Sequence, residues 1–392
     1  MKRFLPAVVL LACFSCEHFE PAAPDESSIL DGPVEGLTTA EILHFQQGDI
    51  AFNDDIFTTK NGLGPLFVAT SCGSCHAGDG KGHPFTTLTR FGQSDPSGNN
   101  FLSQGGPQLQ HLAIPGYQPE TIPAGATFSK FLPPANTGLG FLDAVPDADL
   151  LALADPNDAN GDGISGIPNW VSLKSYVTPR PNSIPLGGKY IGRFGRKGST
   201  YDLLQQTAQA YNQDIGITST HEPHDTYSGL PIDPEVSNVT VDNVVFYLKT
   251  LKAPIQRETT DAMLGKTIFA TIKCNACHTE QLKTGSSPIA ALSNKVFHPY
   301  TDLLLHDMGP GLNDGYTEGS ATAAEWRTPP LWGLGLSKNS QGGTYFLMHD
   351  GRANSIESAI LLHGGEATGS LNSYKALPDQ EKKQLIQFLE SL

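Results

Sequence analysis

The pentapeptide Cys-x-x-Cys-His occurs twice in this chain of 392 residues, within SCGSCHAGDGKG (71–82) and within KCNACHTE (273–280). Two thiols one helical turn apart can bond to the two vinyl groups on one porphyrin edge, and a histidine directly after them can reach the iron. The sequence therefore predicts two covalently bound haem c groups. The predicted anchors are Cys72, Cys75, Cys274 and Cys277, and the predicted proximal iron ligands are His76 and His278.

Other uses of paired cysteines fit this pattern less well. A zinc site would need two such pairs, or additional histidines, close together in the chain. A thioredoxin-like redox motif would follow a strand in a βαβ unit and has no fixed histidine. The chain has six cysteines, and the two outside the pentapeptides, Cys13 and Cys16, lie near the N-terminus. No cysteine is therefore left for a structural disulfide.

The first 16 residues, MKRFLPAVVLLACFSC, combine Lys2 and Arg3 with a short apolar run. The run is too short to cross a bilayer and has the pattern of a bacterial export signal. Cys13 and Cys16 each follow small residues, as a lipidated cysteine does, and an ordinary cleaved signal peptide is the alternative. We expect a lipoprotein-type signal peptide at 1–16, a flexible acidic and Pro-rich tether at 17–36, and a periplasmic protein anchored at Cys13 or Cys16.

The composition indicates an acidic chain with long ordered loops. The formal net charge is −15, and the chain contains 41 glycines and 29 prolines. Binding of nucleic acid requires a basic face, so nucleic acid is not an expected partner. The glycine and proline content favours many turns.

Segments with helical periodicity flank each pentapeptide. LTTAEILHFQQGDIAF begins with a capping box of Thr38 and Glu41, and TTDAMLGKTIFATIKC begins with a cap at Thr260. Apolar stripes follow in three segments: Met263, Leu264, Ile268 and Ile272; Val244, Val245, Leu248 and Leu251; and Leu385, Ile386, Phe388, Leu389 and Leu392. We predict a mainly α fold with little β structure and long ordered loops. Its two cytochrome c-like haem domains would be residues 37–255, with insertions, and 256–392.

The chain resembles the di-haem oxidoreductases of the bacterial cytochrome c peroxidase and MauG superfamily, especially the branch labelled thiol oxidoreductase-like or di-haem peroxidase. The resemblance runs from about residue 40 to the C-terminus. It is most specific in YTDLLLHDMGPGLND, EWRTPPLWGLGL, MHDGRANSIESAILLHGGEA and DPNDANGDGISGIPNW. It implies two cytochrome c-like domains whose haems face one interface, one feeding electrons and the other meeting hydrogen peroxide or another oxidant.

The resemblance also implies a distal ligand for the C-terminal haem. In the peroxidases a methionine in this region ligates the iron, whereas this chain has His363 at the matching place in MHDGRANSIESAILLHGG. This implies ligation by His278 and His363, with Met308 as the main rival and His306 and His349 as weaker ones. An imidazole in place of a thioether stabilises ferric iron and lowers the potential.

The N-terminal haem is then expected to meet the oxidant. The peroxidases place a glutamine and a glutamate over this haem, and QLQHLAIPGYQPE offers Gln110 and Glu120 in the same order. The carboxylate would take up and return a proton, which is general acid–base catalysis worth roughly 10²–10⁴-fold, and the amide would orient the substrate. His83 and His111 are candidates for the sixth position of this iron in a resting state.

One family segment is missing. The peroxidases carry FWDGR just upstream, where this chain has NNFLSQGGP. The tryptophan relay between the haems is therefore in doubt, and Trp170, Trp326 and Trp332 are candidate replacements.

Two further sets of residues suggest ligands. DANGDGISG places Asp158, Asn160 and Asp162 on alternate positions, followed by the Ile164 carbonyl, as in the first half of a calcium loop. Its twelfth position, Asn169, lacks the bidentate glutamate, and an Asx-rich turn is the alternative. Arg327 and Arg352 are candidates for pairing with haem propionates, since a guanidinium matches a carboxylate.

The sequence thus favours an exported di-haem c-type oxidoreductase that reduces hydrogen peroxide or a related oxidant. The electron donor would be a small redox protein of the cytochrome c or cupredoxin type, and membrane contact would be limited to the lipid anchor. Oxidation of a partner protein, as in MauG, and electron transfer without catalysis are the alternatives.

Overall fold

The computed structural model describes residues 23–93 and 98–392, so the predicted signal peptide and the first part of the tether lie outside the described residues. The helices are α1 Thr39–Asn53, α2 Leu139–Asp143, α3 Asp147–Leu153, α4 Leu203–Asp214, α5 Asn238–Thr250, α6 Thr260–Thr271, α7 Ser337–Ser340, α8 Ile356–Leu361, α9 Thr368–Ala376 and α10 Asp379–Ser391. The strands are β1 Leu66–Phe67, β2 Leu88–Phe91, β3 Leu112–Ala113, β4 Phe128–Phe131, β5 Trp170–Val171, β6 Tyr190–Ile191, β7 Leu282–Lys283, β8 Val296–Phe297, β9 Leu305–Asp307 and β10 Glu325–Arg327.

The strands form only short antiparallel pairs. β1 pairs with β3, β2 with β4, β5 with β6, β7 with β8, and β9 with β10. None of these described strands is longer than four residues, whereas α1 has 15. The prediction of a mainly α chain with little β structure is confirmed.

Helices α1 and α5 cross closely in the N-terminal half. The capping box predicted at Thr38 and Glu41 is present at the start of α1. A Cβ on Gly48 of α1 would lie 2.1 Å from the backbone oxygen of Asn243 in α5. Since no side chain fits there, glycine permits the helices to approach backbone to backbone. The core on either side contains Phe45, Phe52, Val241, Val244, Tyr247 and Leu248.

Helices α6 and α10 repeat this arrangement in the C-terminal half. A Cβ on Gly265 of α6 would lie 2.0 Å from the backbone oxygen of Gln384 in α10. The cap of α6 is Thr259 rather than Thr260. Its buried residues are Ala262, Gly265 and Phe269, while Met263 and Leu264 of the predicted stripe are 64% and 49% exposed. The buried face is therefore rotated from the one that hydrophobicity alone suggests.

The two halves share a core. One cluster of buried apolar residues draws on both sides of the predicted boundary at 255/256, namely Phe141, Leu142, Val145 and Leu150 from the first half and Leu282, Leu292, Phe297 and Trp332 from the second. The backbone from 252 to 259 is irregular. No helix of the described residues has the length and apolar character needed to cross a membrane.

The C-terminal part of the predicted tether packs against the protein. Val34 is buried, and its amide donates to the backbone oxygen of Thr250 at 2.7 Å. Lys252 forms an ion pair with Glu26 at 2.6 Å. The acidic, Pro-rich composition suggested a flexible segment through residue 36, but the apolar side chain of Val34 finds a place in the shared core.

Candidate functional site

Each pentapeptide forms a single turn that presents its residues in one direction. The backbone amide of His76 donates to the carbonyl of Cys72 at 3.1 Å, and that of His278 donates to the carbonyl of Cys274 at 3.0 Å. This i to i−4 bond closes one helical turn, so the two cysteines and the histidine of each motif lie close together. None of these four cysteines is in a disulfide.

The thiols are protonated rather than ionised in this environment. Burial raises the pKa of Cys72 and of Cys274 to about 12. Zinc sites and thioredoxin-like motifs depend on stabilised thiolates, which need lowered thiol pKa values. Neither thiol is stabilised as a thiolate by the protein groups around it.

The second proximal histidine, His278, is oriented by a backbone carbonyl. Its Nδ1 donates to the oxygen of Tyr300 at 3.0 Å, which leaves Nε2 free for a metal, as in most histidine ligands. Burial, with a smaller contribution from nearby His363, lowers the pKa of His278 to about 4. Burial likewise lowers the pKa of His76 to about 4. Both imidazoles are therefore neutral near pH 7, as metal ligation requires.

The first anchor opens into a cavity of about 360 Å³, here called cavity 1. Cys72, Cys75 and His76 line it together with residues of α4 and α5. The C-terminal half also contributes Tyr316, Glu318, Arg327 and Trp332 to the lining. None of the residues around cavity 1 in the described ranges is a methionine or a second histidine.

The second anchor opens into a cavity of about 210 Å³, here called cavity 2. Cys274, Cys277 and His278 line it, and both His363 and Met308 reach it. The Nδ1 of His363 donates to the backbone oxygen of Ala359 at 2.7 Å, so its Nε2 is free, as that of His278 is. The structure thus brings the favoured distal ligand and its main rival to the same cavity.

The weaker rivals His306 and His349 also line cavity 2, but both have other partners. His306 Nε2 lies 2.9 Å from Asp302 Oδ2, and His306 Nδ1 lies 2.7 Å from Glu366 Oε2. Both ring nitrogens are therefore occupied. His349 stacks on Trp326 with ring centroids 3.7 Å apart. Neither histidine is arranged as an iron ligand.

Three cations line the wall common to both cavities: Lys81, Arg196 and Arg327. None of them forms an ion pair with a carboxylate of the described residues. Burial lowers the pKa of Lys81 to about 7, of Arg196 to about 9 and of Arg327 to about 10. Partly desolvated cations without a counter-ion favour an anionic ligand, and haem carboxylates would supply one.

Of the two predicted arginines, Arg327 lines both cavities, and its pairing with haem propionates stays a prediction. Arg352 lines neither cavity and pairs with Asp350 at 2.8 Å on a partly exposed surface. Sequence reasoning missed Lys81, although it lies five residues after His76, and Arg196, because a single cation in a loop carries no periodic or motif signal.

The predicted catalytic pair, Gln110 and Glu120, is assembled but lies outside cavity 1. Glu120 accepts from the backbone amides of Gln110 at 2.7 Å and Gly106 at 3.2 Å. These two bonds hold the loop between Gly106 and Glu120 in place, so the Glu120 carboxylate has a structural role. His83 and His111 do not line the cavity either.

A different carboxyl and amide line cavity 1. Asp214, the last residue of α4, accepts a hydrogen bond from the side-chain amide of Gln108. Glu318 also lines the cavity and pairs with Arg90 at 2.6 Å. Gln108 lies two residues before Gln110 in QLQ, so the predicted segment contributes a glutamine to cavity 1, but at a different position from the predicted one.

The predicted calcium loop is folded through its own backbone. Asp158 accepts from the Gly163 amide, Asn160 from the Asp162 amide, and Asp162 from the Ile164 amide. Asn169 is elsewhere, buried between Lys197 and Glu318. No group of three or more His, Cys, Asp or Glu side chains in the described ranges is placed to share a metal. Calcium binding at Asp158, Asn160, Asp162 and Ile164 stays a prediction.

The residues of both cavities fit a haem. Each cavity combines paired thiols, a neutral histidine and an apolar lining, and the two share cations that lack an anion. Of the three tryptophans, Trp332 lines cavity 1 and Trp326 lines cavity 2, while Trp170 lines neither.

One family model agrees with this chemistry. The model of a family described as "Di-haem oxidoreductase, putative peroxidase" matches residues 132–392, which include the second pentapeptide. No curated protein matches. The solved structure of Kuenenia stuttgartiensis hydrazine synthase pressurized with xenon is 13% identical, with 100% of each chain covered and a TM-score of 0.41. A MauG-like protein associated with microbial copper homeostasis is 15% identical over 65% of this chain and 87% of its own, with a TM-score of 0.31.

Proposed function

We propose that this chain, which belongs to the di-haem oxidoreductase family, is an exported enzyme that reduces hydrogen peroxide or a related small oxidant. It would carry two covalently attached haem groups in two cytochrome c-like domains. The oxidant would react in cavity 1. Electrons would enter from a small redox protein, of the cytochrome c or cupredoxin type, by way of cavity 2.

The difference between the two cavities is the observation that carries this proposal. Cavity 2 is lined by His363, Met308 and Met348 in addition to His278, so a second protein ligand would be available to a haem iron there. The residues that line cavity 1 within the described ranges include no histidine or methionine besides His76. An enzyme needs one position open to a small molecule, and an electron-transfer site is best closed.

The chain's own residues would hold the cofactors as follows. The cysteines of each pentapeptide would supply the thioether bonds, and the imidazoles of His76 and His278, the latter through its free Nε2, would bind the iron. Lys81, Arg196 and Arg327 would neutralise carboxylates from both groups. When bound, a haem with an open axial position supplies a redox centre at which a small oxidant takes up electrons.

Aromatic residues provide a contact path between the cavities. Phe131 lines cavity 1, and its ring packs edge-on against Trp326, which lines cavity 2, with centroids 5.9 Å apart. Phe131 also packs against Tyr316 at 6.1 Å. This cluster would take the place of the family's missing tryptophan segment as the covered path for electrons.

Location is also part of the proposal. The residues that favour export and lipidation at Cys13 or Cys16 lie outside the described ranges. Mass spectrometry of the mature N-terminus would identify a diacylated cysteine if the lipoprotein assignment holds. A free N-terminus after cleavage would instead indicate an ordinary periplasmic protein.

The proposal is tested by spectroscopy and turnover of the full chain carrying both haems. We expect one high-spin and one low-spin ferric signal, and peroxide-dependent oxidation of a reduced small cytochrome c after pre-reduction. If both haems are low-spin when ferric, remain low-spin after reduction and support no turnover, the protein would instead be an electron carrier. A long-lived oxidised spectrum after peroxide addition, with little donor turnover, would favour oxidation of a partner protein.

A further inference from the structure

Asp214 and Gln108 form a polar pair inside cavity 1 that the family resemblance does not single out. Gln108 is 3% exposed. Its amide donates to the Asp214 carboxylate and to the backbone oxygen of Gln213 at 3.1 Å. Both residues line the cavity.

Asp214 is held against the first haem anchor by its backbone. Its carbonyl accepts from the amides of Val68 at 2.7 Å and Ala69 at 3.0 Å, which lie just before the pentapeptide that begins at Cys72. Two main-chain bonds therefore fix the backbone of Asp214 relative to the anchor, and the Gln108 amide holds its carboxylate. A proton-transfer group needs such positioning.

The other acidic residue among those that line cavity 1 is already committed. Glu318 pairs with Arg90 at 2.6 Å and accepts from the Ser199 hydroxyl at 2.8 Å. Glu120, which lies outside the cavity, accepts hydrogen bonds from two backbone amides. Asp214 has no cation within ion-pairing distance in the described ranges, so its carboxyl can change protonation without breaking a salt bridge.

We propose that Asp214 is the proton-transfer residue of cavity 1 and that Gln108 positions its carboxylate. This rests on the proposed function, with a peroxide as substrate. Asp214 accepts the proton of one peroxide oxygen and returns it to the other oxygen as the O–O bond breaks. In the complete reaction, one H₂O₂, two electrons from the reduced redox protein and two protons from solvent give two molecules of water. Asp214 begins and ends as a carboxylate.

The electrostatic surroundings agree with this role. Burial raises the pKa of Asp214 to about 6, against the opposing effects of the Gln108 hydrogen bond and of Arg90. Cys72 and Cys75 are the other ionisable groups close to it, and thioether formation would remove their titration. Glu318, which also lines the cavity, is neutralised by its ion pair with Arg90. A base with a pKa near the working pH is the most effective in proton transfer.

The test compares Asp214→Asn with the surface control Asp149→Asn in the full chain with both haems. We expect Asp214→Asn to lower kcat/KM for hydrogen peroxide about 100-fold or more. The association rate of hydrogen cyanide, a probe that must lose its proton on binding, should fall by a similar factor. Asp149 is exposed on α3, and its substitution should change neither rate by more than about twofold.

A second variant distinguishes proton transfer from a structural role. Removing the Gln108 hydrogen bond in Gln108→Leu destabilises the charged form of Asp214, so its pKa should rise. The acid limb of the kcat/KM profile, expected near pH 6 in the natural protein, should then move up by about one pH unit. This measurement decides the matter if Asp214→Asn fails to load haem.

The outcomes separate the two proposals. Peroxide turnover with unchanged rates in Asp214→Asn and an unmoved acid limb in Gln108→Leu would overturn the role of Asp214 and leave the enzyme proposal standing. Loss of both rates in Glu120→Gln alone would return the role to Glu120. Slow cyanide binding in Asp214→Asn without any peroxide turnover in the natural protein would support Asp214 as the proton acceptor and remove peroxide as the substrate.

Discussion

Hydrogen bonds to backbone carbonyls decide which histidines are ready to bind iron. His278 and His363 each use Nδ1 for such a bond and direct Nε2 elsewhere, whereas His306 has both nitrogens on carboxylates. Sequence position identified His278 and His363 but ranked His306 only as a weaker rival. The carboxylates that occupy the ring nitrogens of His306 belong to Asp302 and Glu366. Glu366 is too distant in sequence to be recognised as a partner of His306.

Replacing His363 with alanine should change the ligation of the second haem. We expect the low-spin signature of two imidazoles to disappear, because the thioethers of Met308 and Met348 then remain in cavity 2. Thioether ligation favours ferrous iron, so the midpoint potential should rise by on the order of 100 mV. EPR and a redox titration measure both changes. Met308→Leu is the matched variant, and loss of the natural ligation in it instead would assign the sixth position to Met308.

Replacing His306 with glutamine should destabilise the protein. Burial alone would lower the pKa of His306, but its contacts with Asp302, Cys277 and Glu366 raise it to about 12. The imidazolium therefore neutralises the carboxylates of Asp302 and Glu366. Leaving these carboxylates without their cation costs about 3–5 kcal/mol in the free energy of unfolding, measured with urea on the protein carrying both haems. Because the folded pKa lies above the unfolded value near 6.5, this stabilisation is complete below that pH and declines as pH rises toward 12.

An exposed histidine provides the control for that measurement. His298 lies 3.7 Å from Glu280 on the surface, with about half of its side chain exposed. His298→Gln should cost no more than about 1 kcal/mol, as for other surface ion pairs. Equal losses in the two variants would contradict a buried charge cluster at His306.

At the level of elements, the sequence predicted where helices lie better than which face they bury. The capping box at Thr38 and Glu41 and the stripe Leu385, Phe388 and Leu389 are confirmed, because capping and strong amphipathicity are local properties. The stripe predicted for α6 is confirmed at Ile268 and Ile272, which join the C-terminal core. It is wrong at Met263 and Leu264, because the contact with α10 depends on Ala262 and Gly265. Small residues add little hydrophobicity, so a periodicity argument gives them little weight although they determine how closely helices pack.

Gly265→Ala tests this close crossing. The added Cβ would lie 2.0 Å from the backbone oxygen of Gln384, so α6 and α10 must separate. We expect a loss of about 1–3 kcal/mol in the free energy of unfolding, measured by urea denaturation. Gly369 in α9 has no atom within 4 Å of its added Cβ, so Gly369→Ala should be neutral or stabilising by up to about 1 kcal/mol. A stabilised Gly265→Ala protein would contradict the crossing.

Across the whole molecule, polar contacts between distant segments join the two halves. The side-chain amide of buried Asn169 donates to the backbone oxygens of Lys197 at 2.7 Å and Glu318 at 2.9 Å, and its oxygen accepts from Ser320. Arg90 reaches Glu318 in the same region. In the sequence Asn169 stood out only as the twelfth position of the predicted calcium loop that lacks a glutamate, because a single polar residue does not reveal a partner about 150 positions away. The cationic wall of Lys81, Arg196 and Arg327 could not be predicted from the sequence for the same reason.

That wall leads to a prediction that concerns both haems at once. Arg327 lines both cavities and has no carboxylate partner among the described residues, so its charge should stabilise the reduced state of each group. Arg327→Gln should therefore lower both midpoint potentials by on the order of 50 mV, the size expected for one charge at an effective dielectric constant of about 20. A spectroelectrochemical titration resolves the two values. Arg352 is neutralised by Asp350 outside the cavities, so Arg352→Gln should leave both potentials in place. If Arg327→Gln shifts the midpoint potential of only one haem, the cationic wall acts on a single cavity. The electronic contact between the two sites would then have to run through the aromatic contact of Phe131 with Trp326 alone.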